Sequence, residues 1–241
     1  MKGFGAVCLA AALWAALTLS SCAPQGESSA AGETPPLSAA VGDHVRFGTW
    51  EQNGDVSDGP ESIEWIVLGR DGDRALLLSR YGLAPGRELG KKWDVSPDRQ
   101  WLNGGFFSQA FTPEEQSLIP ETLIPAEEYR GRRFGEDTAD RVFLLSREEL
   151  EQYLPVFEDR VCPATKSFAE ETRLTGPDCL WLLRSLEYSG FDYASPLMVG
   201  VSGRTVPLWI RTDARLIFAL RPALWADVSA AASGPGEGPL S

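Results

Sequence analysis

Histidine is almost absent from this 241-residue chain, which contains only His44. Zinc sites that draw several ligands from histidine are therefore excluded. A Ser-His-Asp triad would have to use His44, which begins a short strand-like segment. We expect His44 to be a half-exposed strand residue instead.

Basic residues are also scarce, with 22 lysines and arginines against 34 aspartates and glutamates and a formal net charge of -12. A protein that binds nucleic acid needs clustered cations to displace the counterions of the phosphates. The composition therefore argues against a nucleic-acid partner. The hydrophobic fraction of 43% is that of an ordinary soluble domain.

The chain has one long apolar run, Phe4 to Leu19, which follows the positively charged start Met1-Lys2-Gly3. This run is shorter than the roughly 20 residues of a membrane-spanning helix and is typical of a secretory signal peptide, here residues 1–21. The sequence Leu19-Ser20-Ser21-Cys22 resembles a bacterial lipobox, which predicts lipidation of Cys22. The alternative is an ordinary small-residue cleavage site. We expect an exported protein, lipid-anchored to the bacterial membrane or cell surface, with its acyl chains held on the membrane.

Four cysteines are present, of which Cys8 lies in the predicted signal and Cys22 in the lipobox. The other two, Cys162 and Cys179, are a candidate disulfide, because paired cysteines in an exported protein are commonly bonded. The alternative is two unrelated buried thiols.

Composition divides the chain beyond the signal peptide into three parts. Residues 22–40 hold the lipidated cysteine and a flexible tether rich in Ala, Ser, Pro and Gly. No comparable linker interrupts residues 41–226, which predicts a single globular domain. Residues 227–241 are of low complexity and are expected to be a disordered tail.

Strand patterns open and close the predicted domain, and helical patterns lie between them. Ile63–Leu68 and Ala75–Leu78 read as strands, joined by the turn signal Asp71-Gly72-Asp73. Thr112–Glu115 and Ser146–Glu149 are capping boxes that predict helix starts. Val142–Leu145 reads as a buried strand. The fold class is therefore predicted to be α+β, a mainly antiparallel sheet with short helices.

One loop has the spacing of a calcium site. Asn53, Asp55 and Ser57 alternate, and Glu64 follows Asn53 by 11 residues, as in an EF-hand loop. Because the glycine is one position late and Glu64 lies in a strand-like run, a solvated hairpin loop is the alternative. Calcium is the one cofactor considered, and otherwise no cofactor or metal is expected.

Aromatic residues are the other chemically notable group, with eight tryptophans in the chain. Trp65, Trp101 and Trp181 lie in apolar motifs and are expected in the core. Rings beside polar loops can stack on sugars. The candidate ligand-binding residues are Trp50, Trp93, Tyr188, Phe191, Asp192 and Tyr193.

Two further sets of charged residues receive structural interpretations. Arg99, Arg184 and Arg221 lie in apolar stretches. We expect each to be a structural clamp, that is, a buried arginine whose carboxylate or carbonyl partners hold separate segments together. Of the acidic pairs at 114–115, 127–128 and 148–149, two are explained by helix capping. We therefore expect no catalytic residue among these pairs.

Seven collinear motifs link the domain to a known family. They are Gly42-Asp43-His44-Val45-Arg46-Phe47-Gly48, Ile63–Leu68, Arg99-Gln100-Trp101-Leu102-Asn103, Ala110-Phe111, Asp140–Ser146, Leu183-Arg184-Ser185 and Arg221-Pro222-Ala223-Leu224. Their order resembles a bacterial family known as domain of unknown function 6273, over essentially all of residues 41–226. The resemblance implies a secreted or surface-anchored protein and brings no catalytic residue. That family is in turn similar in pattern to C-type-lectin-like domains, which implies such a fold.

This sequence departs from the family pattern around one strand. Trp181-Leu182 stands where two tryptophans are usual, and Leu186-Glu187 where Pro-Gly is common. The loop after the strand, and any ligand specificity it carries, is expected to differ.

These observations favour a non-catalytic extracytoplasmic binding module. Its expected ligand is a glycan or another surface polymer, with a protein as the second choice. Two alternatives are a carboxylate-dependent hydrolase acting on extracellular polymers, and a structural envelope protein. A hydrolase would bring two acidic side chains together in a deep pocket.

Overall fold

The computed structural model describes residues 40–87, 92–189, 194–207 and 217–227, all of which belong to one compact unit. The predicted signal peptide, Cys22, nearly all of the tether and the C-terminal tail lie outside these residues. Most of the described chain is antiparallel sheet with a few short helices, which confirms the predicted α+β class. No helix within the described ranges is both long enough and apolar enough to span a bilayer.

The first sheet is antiparallel and has the strand order β1-β2-β3-β15. Its strands are β1 (His44–Trp50), β2 (Glu61–Asp71), β3 (Arg74–Ser79) and β15 (Ala223–Asp227). The turn predicted at Asp71-Gly72-Asp73 joins β2 to β3, with Gly72 at a φ of 57°. Along β2, Ile63, Trp65 and Val67 are buried at alternate positions, so one face of this sheet packs on the core.

The second sheet has the strand order β13-β12-β11-β14-β4. Its strands are β4 (Ala84–Pro85), β11 (Trp181–Tyr188), β12 (Ala194–Val199), β13 (Thr205–Pro207) and β14 (Ala219–Leu220). Only the β11–β14 contact is parallel within the described strands. Residues 74–85 and 219–227 run alongside each other and contribute strands to both sheets. These two segments therefore join the sheets.

Three two-stranded ribbons complete the strands. They pair β5 (Thr122–Ile124) with β8 (Thr138–Asp140), β6 (Glu127–Tyr129) with β7 (Arg132–Phe134), and β9 (Cys162–Pro163) with β10 (Asp178–Cys179). The β6–β7 hairpin turns at Arg130-Gly131, both of which have positive φ. Two successive positive φ angles are what a tight two-residue hairpin requires.

The helices are short: α1 (Pro97–Trp101), α2 (Phe107–Ala110), α3 (Pro113–Ser117), α4 (Arg147–Tyr153) and α5 (Lys166–Thr172). Both predicted capping boxes are confirmed, at the starts of α3 and α4. Residues Leu102–Phe106 form a π-helical turn that connects α1 to α2. The two glycines of this stretch widen the helix and do not end it.

One predicted strand is not regular. Val142–Leu145 is fully buried, but its only bridge in the described structure joins Phe143 to Ala223. The segment lies between the two sheets, and side chains bind part of its backbone. The Asn103 amide donates to the Val142 carbonyl, and the Arg184 guanidinium donates to the Leu144 carbonyl. Its apolar character reflects burial, which does not by itself distinguish a strand from a buried loop.

Buried side chains form two clusters. One gathers around Trp65, Phe47 and Phe106, and the other around Trp181, Phe143 and Phe168. Trp65 and Trp181 are fully buried, as predicted. Trp101 is only partly buried and packs against the first cluster, with the Arg87 guanidinium 3.6 Å from its ring centroid.

The three predicted arginine clamps are confirmed. Arg99 Nε lies 2.7 Å from Asp140 Oδ1, and Arg184 pairs with Glu149. Arg221 is fully buried and donates to the carbonyls of Ser79 and Arg160. Each clamp ties together segments that are distant in sequence.

Candidate functional site

A groove of about 530 Å³ lies between the β6–β7 hairpin, the start of α4 and the end of β11. Carboxylates dominate its lining: Glu127, Glu128, Glu148, Glu149 and Glu187. Its cations are Arg147 and Arg184, and its rings are Tyr129 and Tyr188. We name this cavity the hairpin groove.

Glu127 is the most constrained carboxylate of the hairpin groove. Its Oε1 accepts a hydrogen bond of 2.9 Å from the Leu186 backbone N–H, and its Oε2 one of 2.9 Å from the Tyr188 hydroxyl. Burial raises the pKa of Glu127, and this effect exceeds the opposing effect of these hydrogen bonds. The nearby Glu148 carboxylate also raises the pKa of Glu127. Glu127 therefore keeps its proton to a higher pH than an ordinary glutamate does.

Both groove arginines are neutralised within the protein. The Arg184 guanidinium donates two hydrogen bonds, of 2.5 and 2.8 Å, to the Glu149 carboxylate. Glu149 Oε2 also accepts from the Ser146 N–H in the capping box. Arg147 pairs with Glu187.

Glu128 lies opposite Arg133 in the β6–β7 pairing, and the two charges attract each other. Glu127 is bound instead by two neutral donors, the Leu186 N–H and the Tyr188 hydroxyl. The lining itself has more glutamates than arginines. The hairpin groove is thus acidic overall.

Aromatic rings line one side of the hairpin groove. Tyr129 and Tyr188 stack with centroids 5.1 Å apart and planes at 22°, and Phe134 lies 4.6 Å from Tyr188. Burial, followed by the Glu127 carboxylate, raises the pKa of Tyr188. The Tyr188 hydroxyl therefore stays protonated and serves as a donor to Glu127.

Trp93 lies at a small cleft that adjoins the hairpin groove. This cleft, of about 20 Å³, shares Glu127 and Arg184 with the larger cavity. Trp93 Nε1 donates to Asp140 Oδ2 over 2.7 Å, the carboxylate that also binds Arg99. Two of the predicted ligand-binding residues, Trp93 and Tyr188, thus lie on either side of Glu127.

The other predicted ligand-binding residues are not part of this arrangement. Trp50 packs on Trp101 and Phe106, with centroids 5.6 and 5.0 Å away, and lines a separate cavity of about 250 Å³. Phe191, Asp192 and Tyr193 lie outside the described residues. The described residues therefore bring together only Trp93 and Tyr188 from this set.

Sequence reasoning missed Glu127 and Tyr129. The pair at 127–128 is considered for a catalytic role and rejected, and no strand is predicted there because its charged surroundings conceal one. The available signal was the dipeptide Arg130-Gly131 between two short segments that each contain an aromatic ring. A turn residue flanked in this way is typical of a hairpin.

The predicted calcium residues are engaged within the protein. Asn53 Oδ1 accepts from the Asp55 N–H over 2.5 Å, and Asp55 Oδ1 accepts from the Ser57 hydroxyl over 2.6 Å, which lowers the pKa of Asp55. Glu64 lies on β2, where it binds His44 and Arg80 at 2.5 and 2.6 Å. Burial raises the pKa of Glu64, but the hydrogen bonds from these two partners lower it by more. The four residues therefore do not form an open ligand set.

Other polar groups surround that loop. One oxygen from each of Glu51, Asp58 and Glu61 lies within 4.8 Å of the other two. A second cavity of about 530 Å³ lies beside them, and its lining includes both basic and acidic side chains, among them Arg46, Glu64 and Lys166. Glu64 is bound to His44 and Arg80, whereas Glu61, which also lines this cavity, has a buried Oε1 with no hydrogen-bond partner among the described residues.

Cys162 and Cys179 face each other across the β9–β10 ribbon, where their Cα atoms are direct partners. Direct partners in an antiparallel pair are about 4.5–5.5 Å apart, a separation that a disulfide can span. The structure shows both as buried free thiols. The disulfide therefore stays a prediction, with its geometric requirement met.

Residues 72–228 match a family described as a domain of unknown function, DUF6273. The matched span begins at the turn between β2 and β3, so the motifs at 42–48 and 63–68 precede it, while the hairpin groove lies wholly within it. No curated protein and no solved structure matches the chain significantly. Because the matched span exceeds half of the 241 residues, the chain belongs to the DUF6273 family.

Proposed function

We propose that this protein is an exported, lipid-anchored binding module that holds a glycan or another surface polymer in the hairpin groove. The carrying observation is the combination, in one 530 Å³ cavity, of a stacked tyrosine pair with Glu127, a carboxylate bound by the neutral Leu186 N–H and Tyr188 hydroxyl. Sugar C–H faces stack on aromatic rings, and carboxylates accept hydrogen bonds from sugar hydroxyls. The groove thus offers the two kinds of contact that carbohydrate recognition uses.

The location of the groove supports the same proposal. It is built from β6, β7, α4 and β11, all of which lie in the span shared with the DUF6273 family. The cavity beside the Asn53 loop draws most of its lining from residues that precede that span. A function common to the family therefore fits the hairpin groove better than it fits the cavity beside the Asn53 loop.

The proposed lipid anchor would hold the domain at a surface. The sequence before Cys22 predicts export and acylation, and residues 22–40 would separate the domain from the membrane by a flexible segment. The net charge of -12 disfavours strongly anionic polymers as ligands. A neutral or amine-bearing glycan suits both the domain and its groove.

Replacement of Tyr188 by Ala tests the proposed groove. The detergent-solubilised full chain would be screened on a glycan array, and any hit measured by calorimetry. We expect Tyr188→Ala to weaken binding at least about tenfold, because one stacking platform and the hydroxyl bonded to Glu127 are lost together.

The matched control is Tyr81→Ala, a half-buried tyrosine at the other 530 Å³ cavity. It should leave the affinity of the same glycan unchanged. Equal losses in both variants would remove the hairpin groove from the proposal, and no hit on the array would remove the glycan itself.

A second candidate, a carboxylate-dependent hydrolase, is favoured by Glu127. Its burial-raised pKa is the property of a general acid, and Glu149 lines the same groove as a second carboxylate. Turnover on a glycoside panel that is abolished by Glu127→Gln, with binding retained, would replace the binding module by this enzyme.

A further inference from the structure

Two buried thiols and a buried arginine form a cluster that the proposed function does not use. Cys162 and Cys179 are exposed by 0% and 1%, and Arg221 by 1%. A β-carbon placed on Gly82 would lie 2.8 Å from Cys179 Sγ and 3.7 Å from Cys162 Sγ, so both sulfurs lie against the same glycine. The backbone N–H of Gly82 donates to the carbonyl of Pro163, which fixes the ribbon there.

Arg221 enters this cluster without a carboxylate. Its Nε donates to the Ser79 carbonyl at 2.8 Å, its Nη1 to the Arg160 carbonyl at 3.3 Å, and its guanidinium lies 4.9 Å from the Trp181 ring centroid. Among the described residues these contacts are all neutral. A buried cation of this kind gains from any nearby group that can become negative.

The thiols are the groups that can do so. Their interaction with Arg221 favours the thiolate form of both. Cys179 Sγ lies 3.4 Å from the Cys162 carbonyl. The Cys179 thiol also donates a hydrogen bond to the Cys162 sulfur, which stabilises a Cys162 thiolate and raises the pKa of Cys179. Burial opposes ionisation of both. Asp178 on β10 disfavours the Cys162 thiolate, and the Arg160 side chain is directed to the Leu154 carbonyl.

We propose that Cys162 and Cys179 are a redox pair that forms a disulfide, and that Arg221 makes this disulfide easier to reduce. On oxidation the Cys162 thiolate and the Cys179 thiol together lose two electrons and one proton, and one S–S bond forms. The two electrons, this proton and one proton from solvent pass to an oxidant of the disulfide class, such as a disulfide oxidoreductase or oxidised glutathione, whose S–S bond breaks to give two thiols. On reduction Arg221 regains a thiolate as its counter-charge, so the reduced state is stabilised, as it is in oxidising thiol proteins generally.

The disulfide would act on a defined part of the fold. It would close residues 162–179, the segment that carries α5 and the residues Ala164, Thr165 and Lys166 of the cavity beside the Asn53 loop. Because both sulfurs are buried, exchange requires the β9–β10 ribbon to open. The oxidation state therefore changes slowly and would report the redox conditions met while the chain folds.

Peptide mapping tests the bond. The full chain with Cys8 and Cys22 replaced by Ser, so that only this pair remains, is equilibrated with oxidised and reduced dithiothreitol and alkylated under denaturing conditions. Trypsin then releases residues 161–166 and 174–184 as one linked peptide from the oxidised form. Two separately alkylated peptides at every redox ratio would overturn the proposal.

The same titration tests Arg221. Arg221→Gln removes the charge and should shift the equilibrium at least about tenfold toward the disulfide, whereas Arg221→Lys keeps the charge and should shift it less. An unchanged equilibrium in folded Arg221→Gln would contradict the role of the charge.

If Arg221→Gln does not fold, the proton uptake on reduction of the disulfide can be measured in the protein that retains Arg221. The number of protons taken up on reduction should fall from two toward one at a lower pH in the folded protein than in the urea-unfolded chain, because Arg221 stabilises one thiolate of the reduced pair. The same pH dependence in the folded and unfolded chains would overturn the role of Arg221.

Discussion

Trp65 shows how a single residue of this sequence combines burial with hydrogen bonding. Its side chain is fully buried in the first core cluster, and its Nε1 donates to the Phe47 carbonyl over 2.6 Å. The indole thus joins β1 to β2 while it packs against Phe111. Sequence alone placed Trp65 in the core because it lies in the alternating run Ile63–Leu68.

We expect Trp65→Ala to lower the free energy of unfolding by about 3–5 kcal/mol, through the cavity left behind and the lost hydrogen bond. Urea unfolding followed by circular dichroism measures this change. Val56→Ala, at an 83% exposed position, is the control and should have almost no effect. Equal stability of the two variants would mean that Trp65 is not a core residue.

Glu127 predicts a pH dependence of stability at the same scale. Because its pKa is raised in the folded protein above the ordinary 4.5, the folded state holds the proton to higher pH than the unfolded state. The stabilisation from this proton is complete below about pH 4.5 and is lost as the pH rises through the folded pKa.

The comparison of unfolding free energies for the wild type and Glu127→Gln between pH 4 and 8 isolates this contribution. We expect the wild type to lose stability relative to Glu127→Gln as the pH rises, and the difference to level off above the folded pKa. Glu128→Gln, at the exposed neighbouring position, should follow the wild-type profile. Parallel profiles for wild type and Glu127→Gln would contradict the raised pKa.

At the scale of elements, the two capping boxes have unequal importance. In α3 the third helical residue, Glu115, is half-buried and accepts from the Gly48 N–H, but it has no ion pair comparable to that of Glu149 in the described structure. In α4 the equivalent Glu149 is the partner of Arg184, whose side chain is only 8% exposed. Loss of Glu149 therefore removes a cap and leaves a buried cation without its counter-charge.

We expect Glu149→Ala to cost about 3 kcal/mol and the matched Glu115→Ala about 1 kcal/mol of unfolding free energy. Chemical denaturation of both variants measures the difference. A double substitution, Glu149→Ala with Arg184→Met, should recover part of the loss because no unpaired charge remains. Similar costs for both single substitutions would show that the Arg184 contact contributes little.

The elements also show where sequence reasoning succeeds and where it fails. Strands 63–68 and 75–78 and both capping boxes follow from local patterns, and all are present. The hairpin groove could not be predicted in the same way, because Glu127 and Tyr188 meet only after 61 positions of intervening chain have folded. Val142–Leu145 fails for a related reason, since its partners are distant in sequence and no periodicity reveals them. They are the Ala223 backbone and the side chains of Asn103 and Arg184.

At the scale of the whole molecule, the proposed anchor makes the clearest prediction. If Cys22 carries the lipid, Cys22→Ala should abolish acylation and cleavage at this position, so that the protein is found either in the soluble extracytoplasmic fraction after cleavage elsewhere or in the membrane at the size of the uncleaved precursor. Cell fractionation with immunoblotting measures this change, and Cys179→Ala serves as the cysteine control. A Cys22→Ala protein that stays membrane-bound at mature size would contradict the anchor.

The pairing of residues 74–85 with 219–227 has a consequence for the order of synthesis. The first sheet lacks β15, and the second lacks β14, until residues 219–227 have been synthesised. A ribosome-bound chain that stops short of these residues therefore has neither sheet complete, and its long-range pairings raise the entropic cost of early folding. We expect such a chain to remain unfolded, which is the state that the proposed export would require.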